Sequence, residues 1–234
     1  MKTVAIIPAG GLGKRMQGSL SKQYLRVGGK PILAHTLNIF QLSPDIDDIV
    51  LVTPEEDVMS VRQTIVEHWG IFKVRHVLAG GPQRQDSVRN GLTAIGDEVD
   101  MVLIHDAVRP FITGDMIHRA VREAEKWGAV TMGVPVKDTV KRVDQGGWIL
   151  ETLNRQVLWL THTPQAFKRS VIQEAYRKAD EDRFSGTDDA SLVERMGFRV
   201  KMIEASYENI KITTPEDLLL AELLIKRQAK ESAS

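Results

Sequence analysis

Short apolar runs alternate with helix-like segments through the first half of this 234-residue chain. The runs are rich in Val, Ile and Leu, and several are apolar at consecutive positions, as strands buried on both faces tend to be. They lie at residues 3–8, 48–53, 72–79, 100–106 and 129–136. Candidate helices with start or stop signals lie between them, at residues 31–43, 54–70, 86–96 and 114–128. This alternation predicts an α/β fold with a mostly parallel, Rossmann-like open sheet flanked by helices.

The second half of the chain breaks this alternation. Residues 139–154 form two short runs of alternating polarity around a Gln-Gly-Gly turn, which predicts a β-hairpin that projects from the sheet. A last strand is predicted at 198–204 and a closing helix at 214–228. Because no linker or internal repeat interrupts the chain, we expect a single domain over 1–234 with a hairpin arm at about 139–154.

The charge balance and the absence of cysteine exclude several classes of protein. The 31 basic and 31 acidic residues cancel, whereas a nucleic-acid coat or a membrane-surface protein needs a basic excess. The lack of cysteine excludes disulfides, thiolate zinc sites and a cysteine nucleophile. The apolar start is too short for a signal peptide, and the run at 218–225 is too short for a membrane span. We therefore expect a cytoplasmic protein that binds neither nucleic acid nor membranes.

A glycine-rich loop, PAGGLGKRM at residues 8–16, follows the first predicted strand. A P-loop needs Ser or Thr after Gly-Lys, but Arg15 stands there. A dinucleotide-binding fingerprint needs a last glycine where Met16 stands. One alternative is that the loop is only a flexible turn after an edge strand.

The loop also has the composition of an anion-binding site. Glycines let backbone amides approach an anion closely and form a nest of N–H donors. Arg15 adds a planar guanidinium fork and Lys22 a compact point charge, a combination that suits a triphosphate. A triphosphate also needs a divalent cation, and Asp106 follows the fourth strand where it is placed to orient one. An Asp in that position also commonly caps a turn.

Seven ordered blocks of the chain resemble nucleotidyltransferases that build cytidine and sugar nucleotides. The finer likeness is to the 2-C-methyl-D-erythritol 4-phosphate cytidylyltransferases of the non-mevalonate isoprenoid pathway. The blocks are PAGGLGKRM with KQY, RQDSVRNGL, HDAVRPF, VKDTVKRV, TLNRQVLWLTHTPQAF, GTDDASLVE and NIKITTPEDL. The resemblance implies an enzyme that transfers CMP from CTP to this polyol phosphate, with Mg²⁺ or another divalent cation. The hairpin at about 139–154 has no second layer of its own to cover it, so we expect a homodimer held through this arm.

The resemblance also assigns roles to individual residues. It places the cytidine and its phosphates against Ala9, Gly10, Gly11, Gly13, Gly81, Ser87, Asp106 and Ala107. It implies that Arg15 and Lys22 stabilise the transition state, and that Arg155 and Lys211 position the sugar phosphate. Arg109, Thr139 and Thr163 would line the sugar-phosphate pocket, with Arg109 and Thr139 reaching the pocket of the neighbouring chain.

The chain departs from the resembled pattern at two positions. Gly10 stands where the family usually has alanine, which a backbone role tolerates, and Pro82 stands where an acidic residue is common near the base. His105 is interpreted as a structural hydrogen-bonding residue rather than a base, and Asp188 with Asp189 as the start of a helix. Two alternatives remain: a cytidylyltransferase for another polyol phosphate such as ribitol 5-phosphate, and a nucleotide-binding regulatory protein without catalysis.

Overall fold

A seven-stranded sheet forms the centre of the computed structural model, which describes residues 1–10 and 22–231. Its strands are β1 (Thr3–Pro8), β4 (Asp48–Thr53), β5 (Val74–Ala79), β6 (Met101–Ile104), β7 (Ala129–Pro135), β10 (Trp159–Lys168) and β11 (Lys201–Glu204). The other strands form two antiparallel pairs outside this sheet: β2 (Arg26–Val27) with β3 (Lys30–Pro31), and β8 (Lys141–Val143) with β9 (Ile149–Thr152). The strand order is β11-β7-β10-β6-β1-β4-β5, and the predicted hairpin is present as β8–β9.

Helices cover both faces of the sheet. They are α1 (Ile32–Leu42), α2 (Val58–Val61), α3 (Arg84–Thr93), α4 (Gly114–Trp127), α5 (Arg169–Glu181), α6 (Asp189–Arg195) and α7 (Pro215–Glu231). Short 3-10 helices lie at Lys22–Tyr24, Glu55–Asp57 and Arg155–Val157, and α2 continues into a π-helical segment, Arg62–Glu67. The helix predicted at 54–70 is therefore three successive helical segments of different pitch. Within the described ranges, no helix is both long and apolar enough to cross a membrane.

The consecutive apolar residues of β1 face two different cores. Ala5 and Ile7 pack in the core beneath α1, α2 and α4, whereas Val4 and Ile6 pack in the core beneath α3, α5 and α6. Successive side chains of a strand point to opposite faces, so a strand covered on both sides needs apolar residues at every position. This arrangement confirms the interpretation of the apolar runs.

The sheet is mostly parallel, as predicted, but β10 runs antiparallel between β6 and β7. No strand is predicted for this segment in the sequence analysis. Pro164 lies inside β10, and proline is disfavoured in a central strand because it cannot donate to the ladder. In the structure the β7–β10 register shifts between His162 and Gln165, so the proline falls at an irregularity of the ladder.

The sheet order reverses direction at β1. Parallel pairing places β4 and then β5 on one side of β1 and β6 on the other. Because β1 is an interior strand, the part of the alternative that places the loop after an edge strand is wrong, whereas residues 11–16 of the loop lie outside the described residues. A crevice outside the carboxyl ends of parallel strands, where the order reverses, is the usual ligand site of such sheets.

Candidate active site

A cavity of about 620 Å³ opens at this reversal point. Residues following β1, β4, β5 and β6 line it together with Lys211 from the segment before α7. Eight residues singled out from the sequence are part of the lining: Ala9, Gly10, Lys22, Gly81, Ser87, Asp106, Ala107 and Lys211. The structure thus brings the start of the glycine loop, residues 8–10, and the Asp106 segment into one site, as predicted from the parallel sheet. Gly11, Gly13 and Arg15 lie outside the described residues.

Gln23 ties the segment carrying Lys22 to the end of β1. Its buried side-chain amide donates to the carbonyl oxygen of Ala9 (2.7 Å), while the amide of Ala9 donates to the carbonyl of Val52 in β4 (2.6 Å). A buried amide held this way fixes the chain on both sides, because an unpaired polar group there would be costly. Lys22, the preceding residue, is therefore held beside the cavity.

The turn between β5 and α3 forms the opposite wall. A Cβ on Gly81 would lie 2.3 Å from the Cβ of Asp86, so only glycine fits there without a shift of the helix start. The amide of Gly81 donates to the hydroxyl of Ser87 (3.2 Å), and that hydroxyl donates to the carbonyl of Gln83 (3.2 Å). This turn lines the cavity at Gly81 and Gln83. Pro82 also lines the cavity, so this wall offers no carboxylate at the position where the family commonly has one.

Three cations surround the carboxylate of Asp106. Its Oδ1 accepts a hydrogen bond from Nε of Arg84 (3.1 Å), and its Oδ2 lies 2.8 Å from Nζ of Lys211 and 3.5 Å from Nε of Arg109. Burial alone would raise the pKa of Asp106, but the charges of Arg84, Lys211 and Arg109 outweigh it and hold the pKa well below the ordinary value. Asp106 is therefore an anion throughout the physiological range.

A buried chain of hydrogen bonds fixes the backbone around Asp106. Nε2 of His105 is 3.1 Å from the carbonyl oxygen of Arg109, which only accepts, so Nε2 carries the proton and Nδ1 is an acceptor. The hydroxyl of Thr163 therefore donates to Nδ1 of His105 (3.1 Å) and accepts from the amide of Asp106 (3.0 Å). Burial lowers the pKa of His105 to about 4, which keeps this tautomer neutral. The interpretation of His105 as a structural residue is confirmed.

Arg109 belongs to the same buried cluster in its own chain. Besides its contact with Asp106, its Nη1 donates to the carbonyl of Asn209 (2.7 Å), and the Asn209 amide donates to the carbonyl of Thr163 (2.9 Å). These contacts differ from the expectation that Arg109 reaches the pocket of a neighbouring chain. Thr163 likewise acts through His105 and the Asp106 backbone in this structure.

Arg155 and Thr139 are not among the described residues that line the cavity. Both are exposed near the base of the hairpin, where Nη1 of Arg155 donates to the carbonyl of Lys137 (2.6 Å). Within one chain, the residues expected to bind the sugar phosphate therefore do not lie together. Lys211 lines the cavity, and Arg109 and Thr163 are buried behind it. Arg155 and Thr139 lie away from the cavity.

Sequence reasoning missed Arg84, which lines the cavity and contacts Asp106. One signal was available: Arg84 occupies the first turn of α3, where the helix dipole disfavours a cation. A cation in that position indicates an acidic partner from elsewhere in the fold. Gln23 and Asn209 were also missed, and their local sequence carries no comparable signal.

Asp106 is the cavity carboxylate that the sequence analysis singled out for a divalent cation, and it is anionic. The described residues contain no group of three His, Cys, Asp or Glu placed to bind a metal. Mg²⁺, however, is usually held by one or two carboxylates together with substrate phosphates and water. One anionic carboxylate beside a cavity large enough for a nucleotide fits that pattern.

Comparisons with known proteins identify the family. The family model described as 2-C-methyl-D-erythritol 4-phosphate cytidylyltransferase matches residues 3–227. Proteins of that name are 51% identical over 227 residues in Syntrophus aciditrophicus, with 97% of each chain covered, and 50% identical over 231 residues in Geobacter metallireducens, with 97% of this chain and 99% of the relative covered.

A solved structure agrees with the sequence matches. The 4-diphosphocytidyl-2C-methyl-D-erythritol synthase of Anaerococcus prevotii superimposes with a TM-score of 0.85, at 33% identity and with 96% of each chain covered. The expectation of an enzyme, made from the glycine loop and the sequence blocks, is confirmed. The chain belongs to the 2-C-methyl-D-erythritol 4-phosphate cytidylyltransferase family of nucleotidyltransferases.

Proposed function

We propose that this chain transfers CMP from CTP to 2-C-methyl-D-erythritol 4-phosphate, giving 4-diphosphocytidyl-2-C-methyl-D-erythritol and pyrophosphate. The observation that carries the proposal is the cavity itself, in which Lys22, Lys211 and Asp106 face backbone supplied by Ala9, Gly10 and Gly81. Cationic side chains beside glycine-rich backbone suit a triphosphate and a phosphate monoester.

The reaction needs positioned charge rather than a general base. An oxygen of the monoester forms a bond to the α-phosphorus of CTP, the bond from that phosphorus to the bridging oxygen breaks, and pyrophosphate leaves with the electron pair. A phosphate monoester has its second pKa near ~6, so the attacking oxygen is already largely ionised at neutral pH. His105 is locked in a buried hydrogen-bond chain, consistent with a site that uses no histidine base.

Within this proposal, different cations bind the triphosphate and the sugar phosphate. Lys22, with Arg15 from the glycine loop, stabilises the charge that develops on the triphosphate as pyrophosphate leaves. Lys211 orients the monoester for in-line attack. Lys211 is well held for this role, because the amide of neighbouring Ile212 donates to the carbonyl of Val108 (2.9 Å) and Ile212 is fully buried.

A divalent cation, Mg²⁺ in the first place, is part of the proposal. Asp106 would hold it together with phosphate oxygens and water, because its carboxylate stays anionic. When bound, the ion neutralises charge on the triphosphate. The contacts of Asp106 with Arg84 and Lys211 keep the carboxylate at the cavity.

Pyrophosphate release with a panel of substrates tests the proposal. We expect the fastest turnover with CTP, 2-C-methyl-D-erythritol 4-phosphate and Mg²⁺, loss of turnover with EDTA, and no covalently nucleotidylated enzyme. The other three nucleoside triphosphates and ribitol 5-phosphate serve as matched alternatives. Faster turnover of ribitol 5-phosphate would assign the chain to another polyol, and binding of CTP without turnover would support a regulatory role.

We also propose that the hairpin β8–β9 holds a homodimer. Every residue from Lys141 to Thr152 is exposed, including Trp148 at 77% and Ile149 at 62%. A two-stranded hairpin is marginal alone in water, and a second copy of the chain is the commonest surface to cover such an element. Thr139 and Arg155, at the hairpin base, would then reach the sugar phosphate in the neighbouring cavity. A cytoplasmic location stays a prediction from the sequence.

Deleting residues 143–149 is expected to give a monomer that binds CTP but turns over poorly, because both the apolar contact and the residues at the hairpin base are lost from the neighbour. Sedimentation velocity, calorimetry with CTP and the pyrophosphate assay measure the three properties. Trp127→Ser removes an exposed tryptophan from the end of α4 and should leave the dimer unchanged. An active wild-type monomer, or full activity of the shortened chain, contradicts the proposal.

A further inference from the structure

Arg84 bridges two carboxylates that belong to distant parts of the chain. Its Nε donates to Oδ1 of Asp106 (3.1 Å), and its Nη1 lies 2.8 Å from Oδ2 of Asp189. Asp106 follows β6 at the cavity, whereas Asp189 is the first residue of α6 and does not line the cavity. A guanidinium can make two such contacts at once because its donors form a rigid planar fork.

Asp189 is an unusual residue for a helix start, because it is only 1% exposed. The capping role belongs to its neighbour Asp188, whose side chain accepts from the amide of Ser191 (3.0 Å). Asp189 instead accepts a hydrogen bond from the buried hydroxyl of Tyr176 on α5 (2.6 Å) and faces Arg84. A buried carboxylate is tolerated only when it is paired, so this position requires the cation that contacts it.

Asp189 therefore limits where the guanidinium of Arg84 can lie. The ion pair holds Arg84 on the side away from the cavity, and Arg84 in turn is one of three cations in contact with the carboxylate of Asp106. With Oδ1 of Asp106 held by Arg84, Oδ2 is the oxygen that faces Lys211 (2.8 Å). The guanidinium of Arg84 thus connects the cavity carboxylate to a buried carboxylate outside the cavity.

We propose that Arg84 is a positioning residue of this site, which orients Asp106 and is itself held by Asp189. The inference rests on the proposed function, since Asp106 matters for turnover only if phosphates bind beside it. It predicts that a change at Asp189, outside the cavity, slows the reaction through Arg84 alone.

Four proteins test this dependence: wild type, Arg84→Met, Asp189→Asn and the double variant. We expect Arg84→Met to lower kcat about 10-fold or more, because a carboxylate out of place by about 1 Å is costly in a preorganised site. Asp189→Asn should lower kcat several-fold with a KM for CTP close to that of wild type. The double variant should be no slower than Arg84→Met, since residues that act through one another are not additive. Arg84→Lys should restore little, because lysine lacks the fork.

Arg177→Met is the matched control. Arg177 lies on α5 and also pairs with two carboxylates, Glu174 and Glu181, and none of these three residues lines the cavity. Its kcat should equal that of wild type even if its urea midpoint falls. All rates are referred to the folded fraction measured by circular dichroism, so that a loss of stability is not counted as a loss of turnover.

Crystal structures of wild type and Asp189→Asn give a readout that does not depend on turnover. In the variant, the contact between Nε of Arg84 and Oδ1 of Asp106 should be lost or redirected. An unchanged contact overturns the inference, as do multiplicative losses of kcat in the double variant or a change in the KM for CTP alone. A wild-type protein without turnover contradicts the proposed function instead, and the two structures still decide the role of Asp189.

Discussion

Replacing Lys22 with alanine is expected to lower kcat by about 100-fold, the usual loss when a preorganised charge is removed from a developing anion. Lys22 lines the cavity, and the buried amide of Gln23 holds its backbone next to the end of β1. Because the side chain of Gln23 holds this backbone and is kept in the variant, CTP should still bind. The measurement is steady-state pyrophosphate release together with calorimetric titration of CTP.

Two comparisons make this result specific. Lys30→Ala removes a lysine that stacks on Trp69 and does not line the cavity, so its kcat should be unchanged. Lys211→Ala and Arg155→Ala should mainly raise the KM for the sugar phosphate, because their proposed role is to capture and align it. Near-normal kinetics of Lys22→Ala would show that the glycine loop has been misinterpreted.

Replacing Phe167 with alanine is expected to lower the free energy of unfolding by about 3–5 kcal/mol, the usual cost of emptying a buried aromatic site. Phe167 is fully buried on β10 and packs in the core beneath α3, α5 and α6. Since a domain of this kind is stable by only ~5–15 kcal/mol, the variant should lose a large part of its stability. Urea denaturation followed by circular dichroism measures the change.

Phe72→Ala is the control, because it makes the same substitution at an exposed position. Phe72 is 79% exposed, so its removal should change the free energy of unfolding by no more than about 0.5 kcal/mol. A small loss for Phe167→Ala would mean that β10 is not the central strand that the structure describes.

The first half of the fold could be predicted because its signals are local. Consecutive apolar residues in β1 and β4 indicate strands covered on both faces, and the carboxyl ends of parallel strands meet at one edge of the sheet. That rule is sufficient to predict that Ala9, Gly10 and Asp106 lie close together, and all three line one cavity. The hairpin is likewise visible in its turn and its alternating polarity.

The position of β10 could not be predicted from its own residues. Pro164 argues against a central strand, and only the shifted register opposite β7 accommodates it. Antiparallel pairing between two parallel strands depends on partners far away in the chain. No periodicity within a single segment records such a pairing.

Short motifs in the sequence were sufficient to identify the candidate residues Ala9, Gly10, Lys22 and Asp106, which all line one cavity. The pairing of the charged side chains, in contrast, is visible only in the folded chain. Arg84 lies between Asp106 and Asp189, and Lys211 also reaches Asp106, because the fold brings the end of β6, α3, α6 and the segment before α7 together. A charged side chain takes its partner from whatever the fold places within reach, and that distance is set by topology rather than by neighbours in the chain.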